Sequence, residues 1–228
     1  MGFNVAIDGP AGAGKSTIAK LVAKKMNFIY VDTGAMYRAI ALYLIRNGID
    51  KDDFEAISNH CKEAEVTLHY VDGQQNVMLN GENVNAYIRT QEVGNMASAS
   101  STNPQVRAQL FDLQKNLAAK NNVVMDGRDI GTNILPNAEV KIYLTASSRV
   151  RAQRRFKELS AKGIECNLEQ IEKEIIERDE RDMNREIAPL KRAEDAVFID
   201  SSDMSIEQVA ECIVEQIYKS QGENNGNH

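Results

Sequence analysis

Apolar residues along this chain switch between two spacings, and each switch marks an element. Phe3–Ile7 is a short apolar run of the kind a buried strand shows, and Phe28–Val31 is a second. Between them, from about Lys15 to Met26, Ile18, Leu21, Val22 and Met26 recur on one face of a helix. Another helix is expected over Ala35–Arg46, closed by Gly48 where a positive φ is commonly needed. A third is expected over Asp53–Ala64, with Phe54, Ile57 and Cys61 inward. The period then drops to two. Val66, Leu68 and Tyr70 alternate with polar residues, and the hairpin dipeptides Asp72-Gly73 and Asn80-Gly81 flank Val77–Leu79. Val66 to about Val84 therefore reads as a small antiparallel sheet inserted into an alternating strand–helix pattern.

The alternation resumes at Asn103-Pro104, an N-cap followed by proline at the first helical position, and Val106, Leu110, Leu113 and Leu117 continue that helix. Val123–Met125, Val140–Leu144 and Val197–Ile199 are the remaining core strands. Ser148 is positioned to cap a helix running to about Ala161, a long charged helix covers about Leu168–Asn184, and Ser205 with Gln208 forms a capping box before the last helix. The tail from Gln221 to His228 is polar and Gly/Asn-rich, and fraying is expected there. Five strands separated by helices argue for an α/β fold with a parallel sheet covered on both faces.

Composition narrows the functional classes. With 228 residues the chain is long enough for a sizeable core, and a net charge of −6 gives no general attraction for nucleic acid or anionic membranes. Cys61, Cys166 and Cys212 are widely spaced, odd in number and unrelated to His60, His69 and His228. That arrangement suggests neither a disulfide framework nor a zinc site, but reduced thiols in the cytoplasm. No signal peptide is expected, and no apolar run is long enough to cross a bilayer.

One segment carries specific chemistry. Gly9, Pro10, Ala11, Gly12, Ala13, Gly14, Lys15 and Ser16 fit the pattern G-x-x-x-x-G-K-[ST], placed between an apolar strand and an amphipathic helix. Its glycines let backbone N–H groups turn inward onto phosphate oxygens, and the helix start adds its positive dipole end. Lys15 supplies a mobile cation and the Ser16 hydroxyl a ligand for Mg²⁺. This phosphate loop implies a nucleoside triphosphate. No Asn-Lys-x-Asp motif of a regulatory GTPase follows a strand, and the length suits a small-molecule kinase.

Such a kinase needs arginines facing two sets of phosphates, because positioning and charge stabilisation carry most of phosphoryl transfer. Three clusters offer them. Asp32-Thr33-Gly34-Ala35-Met36-Tyr37-Arg38 lies at the carboxyl end of a strand, where open α/β sheets bind ligands. Thr33 can hydrogen-bond a phosphate or act as a plain N-cap, and Arg38 can clamp a phosphate or lie on a helix surface. Asp126-Gly127-Arg128-Asp129 follows another strand and resembles the Walker-B arrangement, with Asp126 toward Mg²⁺, through water in many cases. On the charged helix, Arg178, Arg181, Asp182 and Arg185 fall on one face, as either a salt-bridged surface or the arginines of a mobile lid.

Taken together these segments resemble the bacterial cytidylate kinase family of nucleoside monophosphate kinases. The marks are Asp8–Ser16, Asp32–Arg38, Ile88-Arg-Thr-Gln-Glu-Val93, Asp126-Gly-Arg-Asp-Ile-Gly-Thr132 and Glu177-Arg-Asp-Glu-Arg-Asp182, and the likeness runs from Val5 to about Glu215. The resemblance implies ATP-dependent phosphorylation of CMP and dCMP, with Mg²⁺ accompanying ATP. It implies a P-loop core over 1–32, 99–150 and 190–228, a monophosphate-binding region over 33–98 and a lid over 151–189. Gly9 to Ser16 with Thr17 would hold ATP. Thr33, Tyr37, Arg38, Arg128 and Arg185 would hold the acceptor and its phosphate, Ser98, Arg107 and Asp129 would read cytosine, and Arg178 and Asp182 would contact the sugar. Lys15, Arg128, Arg178, Arg181 and Arg185 would stabilise the transferred charge. Base reading by Asp129 also agrees with its chemistry: a carboxylate accepts from cytosine's amino group and repels the carbonyl of uracil. The competing acceptors are UMP, another nucleotide, or a metabolite. A cytoplasmic monomer without nucleic-acid or membrane partners is expected.

Overall fold

The structure, a computed structural model, describes residues 2–225. In chain order its elements are β1 (Asn4–Asp8), α1 (Lys15–Met26), β2 (Ile29–Asp32), α2 (Thr33–Arg46), α3 (Phe54–His60), β3 (Val66–Val71), β4 (Gln74–Leu79), β5 (Glu82–Asn83), α4 (Gln91–Ser100), α5 (Pro104–Lys120), β6 (Val123–Gly127), β7 (Val140–Thr145), α6 (Ser148–Ala161), α7 (Leu168–Asn184), β8 (Val197–Asp200) and α8 (Ile206–Asn225). The larger sheet has five strands in the order β2-β6-β1-β7-β8, and the smaller has three, β3-β4-β5. β7 runs parallel to β1, with Val5 opposite Val140, and parallel to β8, with Ile142 opposite Val197. The expected α/β architecture with a parallel sheet and a small antiparallel one is thus present.

By internal contacts the chain forms two units, residues 29–123 with Gly2, and residues 3–28 with 124 onward. In the first, β3 and β4 pair antiparallel from Val66–Leu79 to Val71–Gln74. Both turns of this sheet use left-handed residue pairs, with φ 50° and 73° at Asp72-Gly73 and 48° and 82° at Asn80-Gly81, which matches the twist of a two-residue hairpin. Met36, Ile40, Leu44, Ile57, Ile88 and Leu110 are its largest fully buried side chains. β1 is buried from Val5 to Asp8 and β6 throughout, as central strands covered on both faces must be. Helices α1 and α8 pack together, as do α6 and α7.

Several local expectations are corrected. Thr33 does not cap α2: the Asp32 carboxylate does, accepting from Ala35 N at 2.9 Å, so Thr33 is the first helical residue. The cap of α6 is Ser147 rather than Ser148. The helix expected to Ala64 ends at His60 and tightens into a 3₁₀ turn over Cys61–Glu63. Helix α4 was not anticipated, although Thr90 caps it and Val93, Met96, Ala97 and Ser100 form its buried stripe. Helix α8 continues past Gln221 to Asn225; residues 226–228, including His228, lie outside the described residues. Gly48, at φ 69°, closes α2, and the reciprocal bonds Gly48 N to Ile45 O and Ile49 N to Leu44 O satisfy its last carbonyls.

Candidate active site

The phosphate loop joins β1 to α1. Gly9 takes φ 152°, and a Cβ there would lie 1.9 Å from the Leu144 carbonyl oxygen, so only glycine fits. Gly14, at φ 86°, is the N-cap of α1, and no side chain caps this helix start. Its amides therefore remain oriented for an anion. Lys15 is 6% exposed and donates from Nζ to the Pro10 carbonyl at 2.8 Å. Burial pushes its pKa down to about 7; the positive charges of Arg128 and Arg178 push the same way, while Asp126 and Asp8 pull it up. A phosphate brought beside it would hold the lysine charged.

Ser16 donates from Oγ to Asp126 Oδ2 at 3.0 Å, across 110 residues of sequence. A hydroxyl and a buried carboxylate, both hard oxygen donors, fit a Mg²⁺ ion that keeps several waters. Among the described residues no cluster of three or more His, Cys, Asp or Glu side chains suited to a metal is present, so most ligands of such an ion would come from phosphate and water.

The second unit gathers most of its sequence-nominated residues. Arg128 donates from Nε to Asp182 Oδ2 at 3.1 Å, and Arg185 lies 3.9 Å from the other oxygen of the same carboxylate. Asp182 is 5% exposed, so this is a largely desolvated group of one anion between two cations. Asp129, also buried, accepts from Asn133 Nδ2 at 3.1 Å. Arg181 stands apart from this group: it is exposed and its Nε donates back to the Glu177 carbonyl. Sharing a helix face by spacing does not bring it to the same contacts, because α7 turns Asp179 and Asp182 inward.

In the first unit, Tyr37 and Arg38 are half-buried on α2. Arg107 on α5 places its guanidinium 5.8 Å from the centre of the Tyr37 ring and donates to the Ser101 carbonyl. Arg38 donates to the Ile88 carbonyl at 3.2 Å and lies along Gly94, where a Cβ would come within 3.0 Å of its Nη1. Ser98, one turn before Ser101 on α4, is half-buried, and its carbonyl accepts from Ser101 Oγ. Arg89 pairs with Asp32 at 2.8 Å.

Two groups escaped the sequence reading. Asp8 was noted only as a flank of the phosphate loop, yet its carboxylate accepts from Ile130 N at 2.8 Å and Gly131 N at 2.7 Å. Arg151 is 5% exposed; it donates to the Ala146 and Ala11 carbonyls at 2.8 and 2.9 Å and pairs with Asp179 at 2.6 Å. For Asp8 the sequence signal was a charge closing an apolar strand; for Arg151, set among other charged residues, there was none.

A strand–glycine loop–helix with a buried lysine, a serine–aspartate pair at the next strand end and a cluster of arginines defines a P-loop phosphotransferase. Comparison with known proteins carries the identification further. The family model described as cytidylate kinase matches residues 5–219. The cytidylate kinase of Caldicellulosiruptor bescii is 50% identical over 217 residues, covering 95% of this chain and 96% of that protein. That of Bacillus subtilis is 46% identical over 215 residues, covering 94% and 96%. This chain belongs to the cytidylate kinase family. Among solved structures, a gluconokinase from Sinorhizobium meliloti matches with TM-score 0.50 at 13% identity, covering 99% of this chain and 98% of that one. An uncharacterized protein from Eubacterium ventriosum matches with TM-score 0.53 at 13% identity, covering 96% and 99%. These two likenesses speak for the fold alone.

Proposed function

We infer that this chain transfers the γ-phosphoryl group of ATP to CMP and dCMP, yielding ADP and the corresponding diphosphate. The observation that carries this is the cytidylate kinase match over nearly the whole chain, with relatives at 46–50% identity. A metabolite as acceptor is not favoured by those relatives.

Gly9 to Ser16 with Thr17 hold ATP, a role supported by the helix start that no side chain caps and by Lys15 beside it. Ser16 and Asp126 hold Mg²⁺, which, when bound, neutralises phosphate charge. Arg128 and Arg185, already oriented by Asp182, hold the acceptor phosphate, as do Thr33 and Arg38. Tyr37 supports them, and Arg178 and Asp182 contact the sugar. Lys15, Arg128, Arg178, Arg181 and Arg185 offset charge as it spreads over the transferred oxygens. Asp129, Ser98 and Arg107 read cytosine; burial of Asp129 favours discrimination, since its carboxylate accepts from cytosine's amino group and repels the carbonyl that uracil presents at the same place.

Residues 33–98 serve as the monophosphate-binding region and 151–189 as a lid, moving to exclude water during transfer. No helix among the described residues is long and apolar enough to cross a membrane, and the three cysteines are free thiols. The free thiols suit a reducing compartment, and the cytoplasm is the proposed location, with the chain working as a monomer. The test is an ADP-release assay across CMP, dCMP, UMP, AMP and dTMP. CMP and dCMP should show the highest kcat/KM; a preference for AMP or dTMP, or turnover of none of them, overturns the reading.

A further inference from the structure

Asp8 ends β1 one residue before the phosphate loop and is 5% exposed. Its two carboxylate oxygens divide between two backbone amides, Oδ1 accepting from Ile130 N at 2.8 Å and Oδ2 from Gly131 N at 2.7 Å. These amides open the π-helical turn Ile130–Ile134 that follows Arg128 and Asp129. The same turn is pinned further along, where Asn133 N and Ile134 N both donate to the Asp129 carbonyl. Space around the held peptide is restricted too, since a Cβ on Gly131 would lie 3.4 Å from Asp8 Oδ2 and 3.3 Å from Lys141 Cδ. A two-point, charge-assisted grip by a buried carboxylate fixes both the position and the rotation of the peptide it holds.

We propose that Asp8 is a positioning residue for the acceptor side of the reaction, clamping the Ile130–Gly131 peptide so that Arg128 and Asp129 are held in register with Lys15. The clamp links the strand leading into the donor loop to the segment that bears the acceptor-binding arginine and the base-reading carboxylate. It is therefore a device of specificity as well as of rate. Asparagine in its place keeps the shape but presents one oxygen and one NH₂, so one of the two amides meets a donor and loses its partner. Burial holds the Asp8 carboxyl up to about 6, against the pull of the two amides, so it is mostly ionised and gripping at neutral pH.

The inference rests on the acceptor roles assigned above to Arg128 and Asp129, and the experiment separates the two. The full chain and its Asp8→Asn, Gly131→Ala and Arg128→Ala variants are compared by KM and kcat for CMP and UMP. Affinity for a non-hydrolysable ATP analogue is measured directly, and circular dichroism confirms folding. Asp8→Asn should raise KM for CMP about tenfold or more and narrow the CMP-over-UMP preference, since the clamped segment carries both functions. Affinity for the ATP analogue should stay within about threefold, because removing a negative charge near Lys15 does not weaken phosphate binding. Gly131→Ala, whose added Cβ crowds Asp8 Oδ2 and Lys141 Cδ while leaving the carboxylate in place, should show the same pattern more weakly. Equal loss of ATP affinity and CMP KM, or unchanged CMP parameters in both clamp variants, overturns the inference: Asp8 then serves the donor loop or the fold alone. An Arg128→Ala variant with unchanged CMP KM instead refutes the underlying acceptor assignment.

Discussion

Asp179→Ala should destabilise the protein far more than a typical ion-pair substitution. Asp179 and Arg151 lie 2.6 Å apart with side chains only 9% and 6% exposed, and the same guanidinium also holds the Ala146 and Ala11 carbonyls. Truncating the aspartate leaves a buried arginine without its counter-charge, a change that costs about 3–5 kcal/mol. For a chain of this length each kcal/mol moves Tm by about 2–4 °C, so a fall of about 6–20 °C is expected. The assay is urea and thermal unfolding followed by far-UV circular dichroism. The double variant Arg151→Met/Asp179→Leu should recover most of the loss, because the penalty comes from the stranded charge rather than from the missing attraction. A loss below about 1 kcal/mol in the single variant, the value for an exposed pair, would refute the reasoning by showing that water reaches the guanidinium. So would a double variant no more stable than the single one.

Lys15→Ala should leave the fold intact and lower kcat at least about a hundredfold, read by ADP release, as expected for loss of a charge aimed at the transferring group. Asp129→Asn should lower kcat/KM for CMP about ten- to a hundredfold while UMP falls less, because the amide can present a donor to uracil; equal falls for both bases would show that Asp129 does not read the base. Asn103→Ala removes a side chain that caps α5 through Gln105 N and Val106 N and also donates to Phe54 O and Ser58 Oγ, so about 2 kcal/mol should be lost in urea unfolding. For pH, Asp8 has a folded pKa near 6 against an ordinary 3.8, so the folded state binds the extra proton between those values. Its contribution to stability therefore falls as pH rises from about 4 to 6, by about 3 kcal/mol, and is level above. The stability of wild type relative to Asp8→Asn should decline over that window, and a flat difference would contradict the shift.

What the sequence determined by itself was whatever depends on neighbours within a few residues. Period-two alternation and the Asp-Gly and Asn-Gly turns specified the small sheet, Asn103-Pro104 the start of α5, and Ser205 with Gln208 a reciprocal cap seen as Ser205 N to Gln208 Oε1 at 2.8 Å and Gln208 N to Ser205 Oγ at 3.2 Å. The phosphate loop was legible for the same reason, since strand, glycines, lysine and helix are contiguous. Helix α4 was missed because its short stripe is flanked by turn-forming residues, and the stop of α3 at His60 depends on what the following 3₁₀ turn packs against. Tertiary structure alone decided the partners of charges far apart in sequence. Nothing local distinguishes Arg151, buried between Ala11 and Asp179, from its exposed neighbour Arg149, or the inward Asp182 from the outward Arg181. Nor does any spacing reveal that Asp8 reaches amides 122 and 123 residues away. Burial of a charge is set by what packs over it, and that is fixed only when strands distant in the chain come to lie side by side in one sheet.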